Sequence, residues 1–537
     1  MRGADRLVQS LSRHGVTTLF SLSGNQIMPV YDACLDAGIR IIHTRHESAA
    51  VFMADAWAQL KDDVGVALVT AGPGLGNALG ALLTARASES PVLLLSGDSS
   101  LAQDGCGAFQ EFDQVAASAP FTKLSFRAQS VETIGADVAL AINVACSGRP
   151  GPVHLALPFD VIQAAWTGDA KGTGHTAGEA MPDEANVQAV RAALRDAARP
   201  VILLGPHNSA TRTARCPTRL SDAVNVPTIA MESPRGLNDP ALGRLGNLLA
   251  QADLIVTLGK RIDFTLGFGA AAKFATQCRW IAIDADEDEL RRARLNLGSR
   301  LTLAIKAGTR PFTEALSAEA LDLTPNRQQW LRHCDDLLSQ RDFSSAMRVP
   351  DTTITALTIA RAVGEAMSSA KAPLFISDGG EFGQWAQAAL PLNNRLINGP
   401  AGAIGGGLGY AIGAKMARPD ATVFVLMGDG TAGFHLPEFE TAVREQVPFV
   451  AIIGNDRRWN AEHQIQMREY GADRRIGCQL SGARYDLAVA ALGGHGAYVT
   501  RAEELAPALA RAIASGQPAC VNVEMEGLAA PVVTGHT

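Results

Sequence analysis

The sequence predicts an α/β protein of three domains, each a doubly wound parallel sheet covered by helices. Short runs of β-branched residues alternate with alanine-rich helical stretches throughout, which is the pattern of parallel sheets. A length of 537 residues suits about three domains of roughly 150 residues each. Two polar stretches, 167–184 and 341–353, are typical of linkers. The predicted domains are therefore residues 1–166, 185–340 and 354–537.

The apolar runs predict strands in every segment. They lie near 17–21, 39–44, 64–70 and 91–96 in the first segment, 200–204, 254–258 and 280–284 in the middle, and 373–377, 422–427, 449–453 and 519–523 in the third. The chain has no short-period repeat, but the first and third segments could be two copies of one α/β plan.

Composition excludes several classes of function. The net charge is −7 without a basic cluster, which argues against nucleic acid as a partner. No apolar run reaches the roughly 18 residues that a membrane span needs, and the first residues do not form a signal peptide. The eight cysteines are scattered without a C-x-x-C pair, so neither a zinc site nor a disulfide framework is indicated. A reducing cytoplasm is the expected compartment.

The most informative motif is Gly428-Asp429-Gly430-Thr431, followed later by Asn455. One predicted strand delivers the carboxylate of Asp429 at its carboxyl end, and a second delivers the amide oxygen of Asn455 at its own end. Hard divalent cations prefer such oxygen ligands. Gly430 and Thr431 open the next helix, where N–H groups can face an anion. The motif therefore predicts a metal bridged to a diphosphate, although a lone Gly-Asp-Gly is more often a turn and helix cap.

A second motif, Arg45-His46-Glu47, lies where a predicted strand ends and a helix begins. Open α/β sheets bind their ligands at such strand ends. The alternative is a structural one, because a glutamate in the first helical turn is favoured by the helix dipole. Taken alone, the motif favours that structural interpretation.

A third motif, Gly72-Pro73-Gly74 with Asn77, follows a clear strand. Its glycines allow the backbone to approach a flat ligand closely. A plain tight turn explains the same residues equally well.

A fourth motif, 402–409, sets one large aliphatic residue, Ile404, among small ones that include Gly402. Ile404 could act as a wedge against a ligand, although glycine-rich turns also arise by chance.

The polar stretch 107–113 is predicted to be a loop after the strand near 91–96. Gln110 is the residue of this loop that we expect in a site, and a solvated loop is the alternative.

With these motifs together, the chain resembles the thiamine-diphosphate-dependent decarboxylase and carboligase superfamily over its whole length. The resemblance is carried by Arg45-His46-Glu47, Gly72-Pro73-Gly74 with Asn77, Gly402-x-Ile404-Gly405, and Gly428-Asp429-Gly430 with Asn455. Within the superfamily, 107–111, Lys123 and 29–32 are most similar to acetolactate synthases. The C-terminal part, with Trp459 and 478–499, is as similar to benzaldehyde lyase.

The resemblance implies a cofactor, thiamine diphosphate, and a metal, Mg²⁺. The first domain would bind the pyrimidine and the third the diphosphate, with each site shared between subunits of a homodimer or homotetramer. Glu47 would hydrogen-bond the pyrimidine nitrogen and promote its imino tautomer, and Ile404 would hold the cofactor bent. The Mg²⁺ ligands would be Asp429, the side-chain oxygen of Asn455 and the main-chain oxygen of Arg457. The remaining cofactor contacts would come from Pro73, Asn77, Gly402, Gly428, Gly430 and Thr431.

The chain departs from acetolactate synthases at several positions. Ile465 stands where they carry tryptophan, Glu381-Phe382 where they carry Gln-His, and Asp456 where they carry a second asparagine. Asn460 takes the place of a usual glycine. These changes surround the expected substrate pocket, so the resemblance predicts the cofactor and leaves donor and acceptor open.

The leading hypothesis is an enzyme of acetolactate synthase type, which decarboxylates a 2-oxo acid and ligates the carbanion to a second carbonyl, with Glu47 and Gln110 as catalytic residues. One alternative is a lyase or carboligase of aldehydes like benzaldehyde lyase. Another is a 2-hydroxyacyl-CoA lyase or oxalyl-CoA decarboxylase, which needs a basic surface that the tail 525–537 lacks. A non-catalytic paralogue is disfavoured because Glu47 and Asp429 are present.

The middle domain of this superfamily holds FAD, ADP or nothing. The cations Arg212, Arg215 and Lys260 could bind a nucleotide, and an empty structural domain explains the sequence equally well.

Overall fold

The computed structural model describes residues 1–168, 179–212, 216–350, 352–391, 393–397 and 399–531. It contains three sheets, and every pairing between their strands is parallel. The predicted fold class of three parallel-sheet α/β domains is confirmed.

The first sheet has six strands. They are β1 Thr18–Ser21, β2 Arg40–His43, β3 Gly65–Val69, β4 Val92–Asp98, β5 Leu124–Arg127 and β6 Val153–Pro158. Their order across the sheet is β2-β1-β3-β4-β6-β5. The accompanying helices are α1 Gly3–Arg13, α2 Met28–Ala37, α3 Glu47–Lys61, α4 Pro73–Ala87, α5 Gln114–Ser118, α6 Ile134–Cys146 and α7 Phe159–Gln163.

The middle sheet has five strands in the order β11-β10-β9-β7-β8. They are β7 Pro200–Leu204, β8 Thr228–Ala230, β9 Leu254–Leu258, β10 Arg279–Asp284 and β11 Leu301–Lys306. The helices are α8 Glu184–Asp196, α9 Cys216–Val224, α10 Leu245–Leu249, α11 Glu287–Leu297, α12 Thr309–Ser317 and α13 Pro325–Ser339.

The third sheet again has six strands. They are β12 Pro373–Asp378, β13 Arg395–Ile397, β14 Thr422–Gly428, β15 Val450–Asn455, β16 His495–Val499 and β17 Ala519–Glu524. The helices are α14 Ser344–Met347, α15 Ala356–Ser369, α16 Gly380–Ala389, α17 Gly407–Ala417, α18 Asp429–His435, α19 Glu438–Arg444, α20 Asn460–Glu469, α21 Tyr485–Ala491 and α22 Ala502–Ala514.

The third sheet runs β13-β12-β14-β15-β17-β16, the order of the first sheet strand for strand. The prediction that the first and third segments share one plan is confirmed. The strand order reverses between β1 and β3 in the first sheet and between β12 and β14 in the third, and open α/β sheets bind ligands at the carboxyl end of that switch point. The two outer sheets therefore each offer one such crevice.

Each sheet buries both of its faces. In the first sheet, Val66 and Leu68 pack into one core, while Ala67 and Val69 of the same strand pack into another. The second of these cores also contains Val423 and Val425 of β14, so one hydrophobic core joins the first and third domains. Such two-sided burial explains why the central strands are continuous apolar runs.

The eleven predicted strands all exist, and the described part of the chain contains six others that were not predicted. Five of the missed strands, β5, β8, β11, β13 and β16, lie at sheet edges. Partial exposure removes the apolar run that marks a strand in four of them, whereas β13 is buried but only three residues long. The sixth, β6, is central but carries His154, which is fully buried between Ser96 and Ser125.

The two predicted linkers differ in what the structure describes of them. Residues 169–178 of the first lie outside the described part of the chain, whereas 341–353 includes the short helix α14. None of the helices in the described ranges combines the length and the apolarity that crossing a bilayer requires.

Candidate functional site

A cavity of about 210 Å³ lies at the carboxyl edge of the third sheet. The loops that follow β12, β14 and β15 line it through Gly379, Asp429 and Asp456. Arg235, from the middle domain, also faces it. Because β12 and β14 are the strands at the switch point, the cavity occupies the place where the fold predicts a ligand.

Asp429 is the first residue of α18 and is 2% exposed. Its Oδ2 atom is buried without a hydrogen-bond partner among the described residues. Burial raises the pKa of Asp429 to about 6, and main-chain N–H groups of Gly430 and Arg457 offset part of this effect. A buried carboxylate oxygen without a donor is costly unless a cation binds it.

Asn455 ends β15 and presents a second free oxygen. Its Nδ2 atom donates to the main-chain oxygen of Ala483 at 3.1 Å and to Oδ1 of Asn522 at 3.1 Å. These two acceptors fix the orientation of the amide and leave Oδ1 buried without a donor among the described residues. Asn522, on the neighbouring strand β17, is fully buried and was missed by the sequence analysis. The geometry thus leaves a buried amide oxygen free to bind a cation at the end of β15.

Arg457 lies two residues beyond Asn455 and has a positive φ of 61°. Its main-chain oxygen accepts the N–H of Leu480 at 2.7 Å. A carbonyl oxygen has two lone pairs, so this bond leaves one acceptor position. Among the described residues, no group of three or more His, Cys, Asp or Glu side chains has the geometry of a metal site. A metal here would therefore take carboxylate, amide and main-chain oxygens, which suits Mg²⁺.

The rest of the Gly-Asp-Gly-Thr motif shapes the start of α18. The Thr431 hydroxyl donates to the main-chain oxygen of Gly428 at 2.9 Å. Gly430 lies against Trp459, where a Cβ atom would come within 2.6 Å of the indole ring. A side chain at position 430 would close the cavity, which explains the second glycine of the motif.

Ile404 lines the same cavity and packs on Gly379, where a Cβ atom would lie 2.4 Å from Cγ2 of Ile404. The following turn is held by Asp378, at the end of β12. Its Oδ1 accepts the N–H of Gly405 at 2.9 Å, and its Oδ2 accepts the N–H of Gly407 at 2.8 Å. Gly402 also lines the cavity, with a positive φ of 68°. Asp378 was missed by the sequence analysis, and its only signal was its place at a strand end.

Other glycines after Ile404 serve helix packing. A Cβ atom at Gly409 would lie 2.9 Å from Cβ of Phe52, and one at Gly413 would lie 2.3 Å from the main-chain oxygen of Met53. Helix α17 therefore packs directly on the backbone of α3, the helix that Glu47 begins. The hydroxyl of Tyr410 donates to Oδ2 of Asp55 at 2.7 Å across the same interface.

Glu47 lies in the first domain and is 8% exposed. Its Oε2 accepts a hydrogen bond from Nδ2 of Asn77 at 3.0 Å. Asn77 stands one turn after Pro73, the first residue of α4, and both are exposed. At Gly74, a Cβ atom would lie 3.7 Å from Oε1 of Glu47. The structure thus brings together the Glu47, Pro73 and Asn77 that the sequence singled out.

Gln110 lies beside this group. It has a positive φ of 63°, and its Oε1 is buried without a hydrogen-bond partner among the described residues. Its Cβ is the nearest neighbour of Gly72, where a side chain would lie within 2.8 Å. Gln114, which was not singled out, joins Gly72 to the main-chain oxygen of Gly97 through its amide.

The residues grouped around Glu47 do not line the cavity at the third sheet. The described residues that line the third-domain cavity come from that domain and from Arg235, and Glu47, Asn77 and Gln110 are absent from them. The structure thus places the two groups of residues separately, one at each outer sheet.

Four of the departures from acetolactate synthases line the cavity: Glu381, Phe382, Asp456 and Asn460. Burial, followed by repulsion from Asp429, raises the pKa of Asp456 to about 7. Burial also raises the pKa of Glu381. Ile465 is 45% exposed on α20 and does not line this cavity.

The carboxyl edge of the middle sheet holds a buried ion-pair network. Arg149 pairs with Glu89 and with Asp284, which ends β10. Lys260 is 5% exposed and donates to Thr265 at 2.6 Å. Arg215 lies outside the described residues.

Comparisons with known proteins agree with this geometry. The N-terminal TPP binding domain of thiamine pyrophosphate enzymes matches residues 1–117, and their C-terminal TPP binding domain matches residues 378–523. The acetolactate synthase large subunit IlvG of Mycobacterium tuberculosis is 35% identical over 97% of this chain and 95% of its own length, as is a probable acetolactate synthase of Mycobacterium bovis. The 2-hydroxyacyl-CoA lyase 2 of Homo sapiens is 30% identical over 94% of this chain and 86% of its own length. The chain therefore belongs to the family of thiamine pyrophosphate enzymes and is an enzyme that forms or cleaves carbon–carbon bonds.

Proposed function

We propose that the protein is a thiamine-diphosphate- and Mg²⁺-dependent enzyme of acetolactate synthase type, which decarboxylates a 2-oxo acid and joins the remaining fragment to a second carbonyl compound. The observation that carries the cofactor site is the pair of buried oxygens without donors, Oδ2 of Asp429 and Oδ1 of Asn455. The relatives at 35% identity support this choice of reaction.

The residues at the third sheet fit Mg²⁺ and a diphosphate. Asp429, the side-chain oxygen of Asn455 and the main-chain oxygen of Arg457 would hold the metal. A cation would also offset the repulsion from Asp429 that, after burial, raises the pKa of Asp456. The main chain at Gly428, Gly430 and Thr431, with Gly402, would contact the cofactor. Ile404, which lines the same cavity, would support the cofactor there.

Glu47 is the proposed proton-transfer residue. When bound, thiamine diphosphate supplies the electron sink for cleaving and forming bonds next to a carbonyl. Asn77 holds Oε2 of Glu47, which leaves Oε1 to exchange a proton with the pyrimidine. Pro73 and Asn77 would contact the cofactor, and the unpartnered Oε1 of Gln110 would bind substrate.

The separation of the Glu47 group from the Asp429 cavity supports a site shared between subunits. Each complete site would combine the Glu47 side of one subunit with the Asp429 cavity of another, so the minimum assembly is a homodimer and a homotetramer is its natural extension. The exposed face of α4, with Pro73, Asn77 and the 45%-exposed Leu83, suits such a contact. The proposed domains remain 1–166, 185–340 and 354–537.

Two guanidinium groups support a carboxylate substrate. Arg235 and Arg458 both line the cavity, and guanidinium groups pair well with carboxylates. Arg235 comes from the middle domain, so that domain would take part in substrate recognition. A 2-oxo acid is therefore the proposed donor class.

A 2-hydroxyacyl-CoA lyase is the second candidate, because relatives of that name match 94% of the chain at 30% identity. A CoA thioester needs cations for its phosphates. Arg149 and Lys260, at the carboxyl edge of the middle sheet, are already engaged by buried partners. Because these cations already have partners, we rank the lyase after the acetolactate synthase type.

The same ion-pair network affects whether the middle domain can bind FAD or ADP. A nucleotide diphosphate at this edge would meet the buried carboxylates of Glu89 and Asp284 as well as the cations. A yellow purified protein would establish flavin, and extraction followed by mass spectrometry would identify ADP. The seven described cysteines are unpaired, which supports the cytoplasm as the proposed compartment.

The proposed function is tested by offering pyruvate, glyoxylate, benzaldehyde, oxalyl-CoA and a 2-hydroxyacyl-CoA separately and identifying products by mass spectrometry. We expect turnover with a 2-oxo acid. Glu47→Gln should still bind the cofactor and lose at least about 10²-fold in kcat, the scale of a lost acid–base group. Turnover of the CoA ester alone would establish the second candidate, and near-normal activity of Glu47→Gln would refute the role of Glu47.

A further inference from the structure

A histidine of the third domain contacts the turn that carries Glu47. Nε2 of His435 lies 2.7 Å from the hydroxyl oxygen of Ser48, the residue after Glu47. Nδ1 of His435 lies 2.6 Å from the main-chain oxygen of Gly405, the residue after Ile404. One imidazole thus bridges the residue after Glu47 and the residue after Ile404, and both Glu47 and Ile404 are proposed to contact the cofactor.

The partners of His435 determine its tautomer. A carbonyl oxygen only accepts, so Nδ1 must carry the hydrogen and donate to Gly405. In the neutral ring Nε2 is then the acceptor and the Ser48 hydroxyl its donor, which requires Nδ1 of His46, 2.7 Å from the same hydroxyl oxygen, to carry its own hydrogen. Burial is the main cause that lowers the pKa of His435, which favours this neutral form.

The ring is also restrained on its sides. The centroid of His435 lies 5.6 Å from that of His46 and 5.8 Å from that of Phe52, with interplanar angles of 79° and 84°. His435 is 7% exposed, so both ring nitrogens and the surrounding contacts are held in one arrangement.

A second group of the third domain holds the same turn. Oε1 of Glu438, a fully buried residue, accepts the N–H of Arg45 at 2.9 Å and that of His46 at 3.1 Å. Its Oε2 accepts the hydroxyl of Thr441 at 2.7 Å. The turn before Glu47 therefore has its main-chain N–H groups bound to a side chain more than 390 residues away in sequence.

We propose that His435 is a positioning residue, which sets the place of Glu47 by bridging Ser48 to the backbone beside Ile404, with Glu438 clamping the preceding turn. The inference rests on the proposed function, because Glu47 gains its importance from proton transfer to the cofactor. Loss of the bridge frees the start of α3, while the cofactor ligands Asp429 and Asn455 stay in place.

The test compares His435→Leu, which removes both hydrogen bonds, with His435→Gln, whose amide can donate and accept, and with Ser48→Ala. The control is His333→Leu, since His333 bonds only Gln251 on the middle domain among the described residues. The direct readout is the exchange rate of the thiazolium C2 proton of bound thiamine diphosphate, measured by quenched-flow NMR in D₂O. A displacement of about 1 Å costs on the order of 10²-fold at a reacting group. We expect a loss of 10- to 100-fold in His435→Leu, a smaller loss in Ser48→Ala, partial rescue in His435→Gln, and cofactor affinity within twofold of the wild type.

Unchanged proton exchange in both His435→Leu and Ser48→Ala would overturn the proposal, as would an equal loss in the His333→Leu control. If His435→Leu does not fold, Ser48→Ala and His435→Gln carry the same comparison. Amide hydrogen exchange of a peptide covering 44–49 in the cofactor-free protein provides an independent readout. It should be faster in His435→Leu and restored in His435→Gln. This result would support the positioning role even if thiamine diphosphate did not bind, so failure of the proposed function and failure of this inference can be told apart.

Discussion

The contact between α3 and α17 provides a quantitative prediction, because it joins the helix that begins at Glu47 to the helix that follows Ile404. Gly413→Ala places a methyl group 2.3 Å from the main-chain oxygen of Met53, about 1 Å short of an ordinary van der Waals contact. The obstacle is backbone, so the two helices must separate.

Overpacking of this kind costs about 1–3 kcal/mol. Alanine gains about 1 kcal/mol over glycine in a helix, so the net loss reaches up to about 2 kcal/mol. At roughly 2–4 °C for each kcal/mol in a domain of this size, Tm falls by up to about 8 °C. A 1 Å shift of α3 should also lower kcat by on the order of 10²-fold.

Differential scanning calorimetry and steady-state kinetics measure both effects. The matched control is Gly364→Ala in α15, where the new Cβ meets only Cδ2 of Leu390 at 3.4 Å, so its Tm should equal or exceed that of the wild type. A Gly413→Ala protein that melts like the wild type and retains its kcat would refute the role of the glycine contact.

Three further predictions concern the site. Asn522→Leu removes one of the two bonds that orient Asn455, so the Mg²⁺ concentration for half-maximal cofactor binding should rise about 10- to 100-fold; an unchanged Mg²⁺ requirement would contradict this. Arg235→Ala should raise KM for a 2-oxo acid by about 10- to 100-fold, the scale of a lost charged hydrogen bond, and leave cofactor affinity unchanged; a KM equal to that of the wild type would exclude Arg235 from substrate binding. Burial raises the pKa of Glu438 from 4.5 to about 7, so its favourable contribution to folding is complete below pH 4.5 and is lost as the pH rises to about 7. The free energy of unfolding can be measured by denaturation at several pH values for the wild type and for Glu438→Gln. The difference, wild type minus variant, should fall as the pH rises through that window, and a flat or rising difference would contradict the raised pKa of Glu438.

Most central strands could be predicted from the sequence, because they are buried on both faces and therefore form continuous apolar runs. Edge strands such as β11 and β16 are partly exposed and carry polar residues, so the same reasoning does not identify them. Asp429 and Asn455 could be found because each stands at the end of such a central strand. The carboxyl ends of neighbouring parallel strands β14 and β15 then bring the two side chains to one edge.

The supporting residues could not be found in the same way, because their partners are distant in sequence. Asn522 matters only through its bond to Asn455, and Glu438 only through its bonds to the turn before Glu47. Gly409 was assigned to a motif that could contact a ligand, and Gly413 was not singled out, but both glycines contact α3. Positions of this kind depend on how α3 and α17 meet, and no local pattern specifies that contact.

The most direct test of the central claim is a calorimetric titration of thiamine diphosphate into the cofactor-free protein, with and without Mg²⁺, for the wild type and Asp429→Ala. Oδ2 of Asp429 has no protein donor among the described residues, so the variant should remain folded. The wild type should bind in a Mg²⁺-dependent manner, and Asp429→Ala should lose that dependence together with most of the affinity. Binding that is independent of Mg²⁺, or equal affinity in a folded Asp429→Ala protein, would contradict the assignment of the third-domain cavity as the metal–diphosphate site.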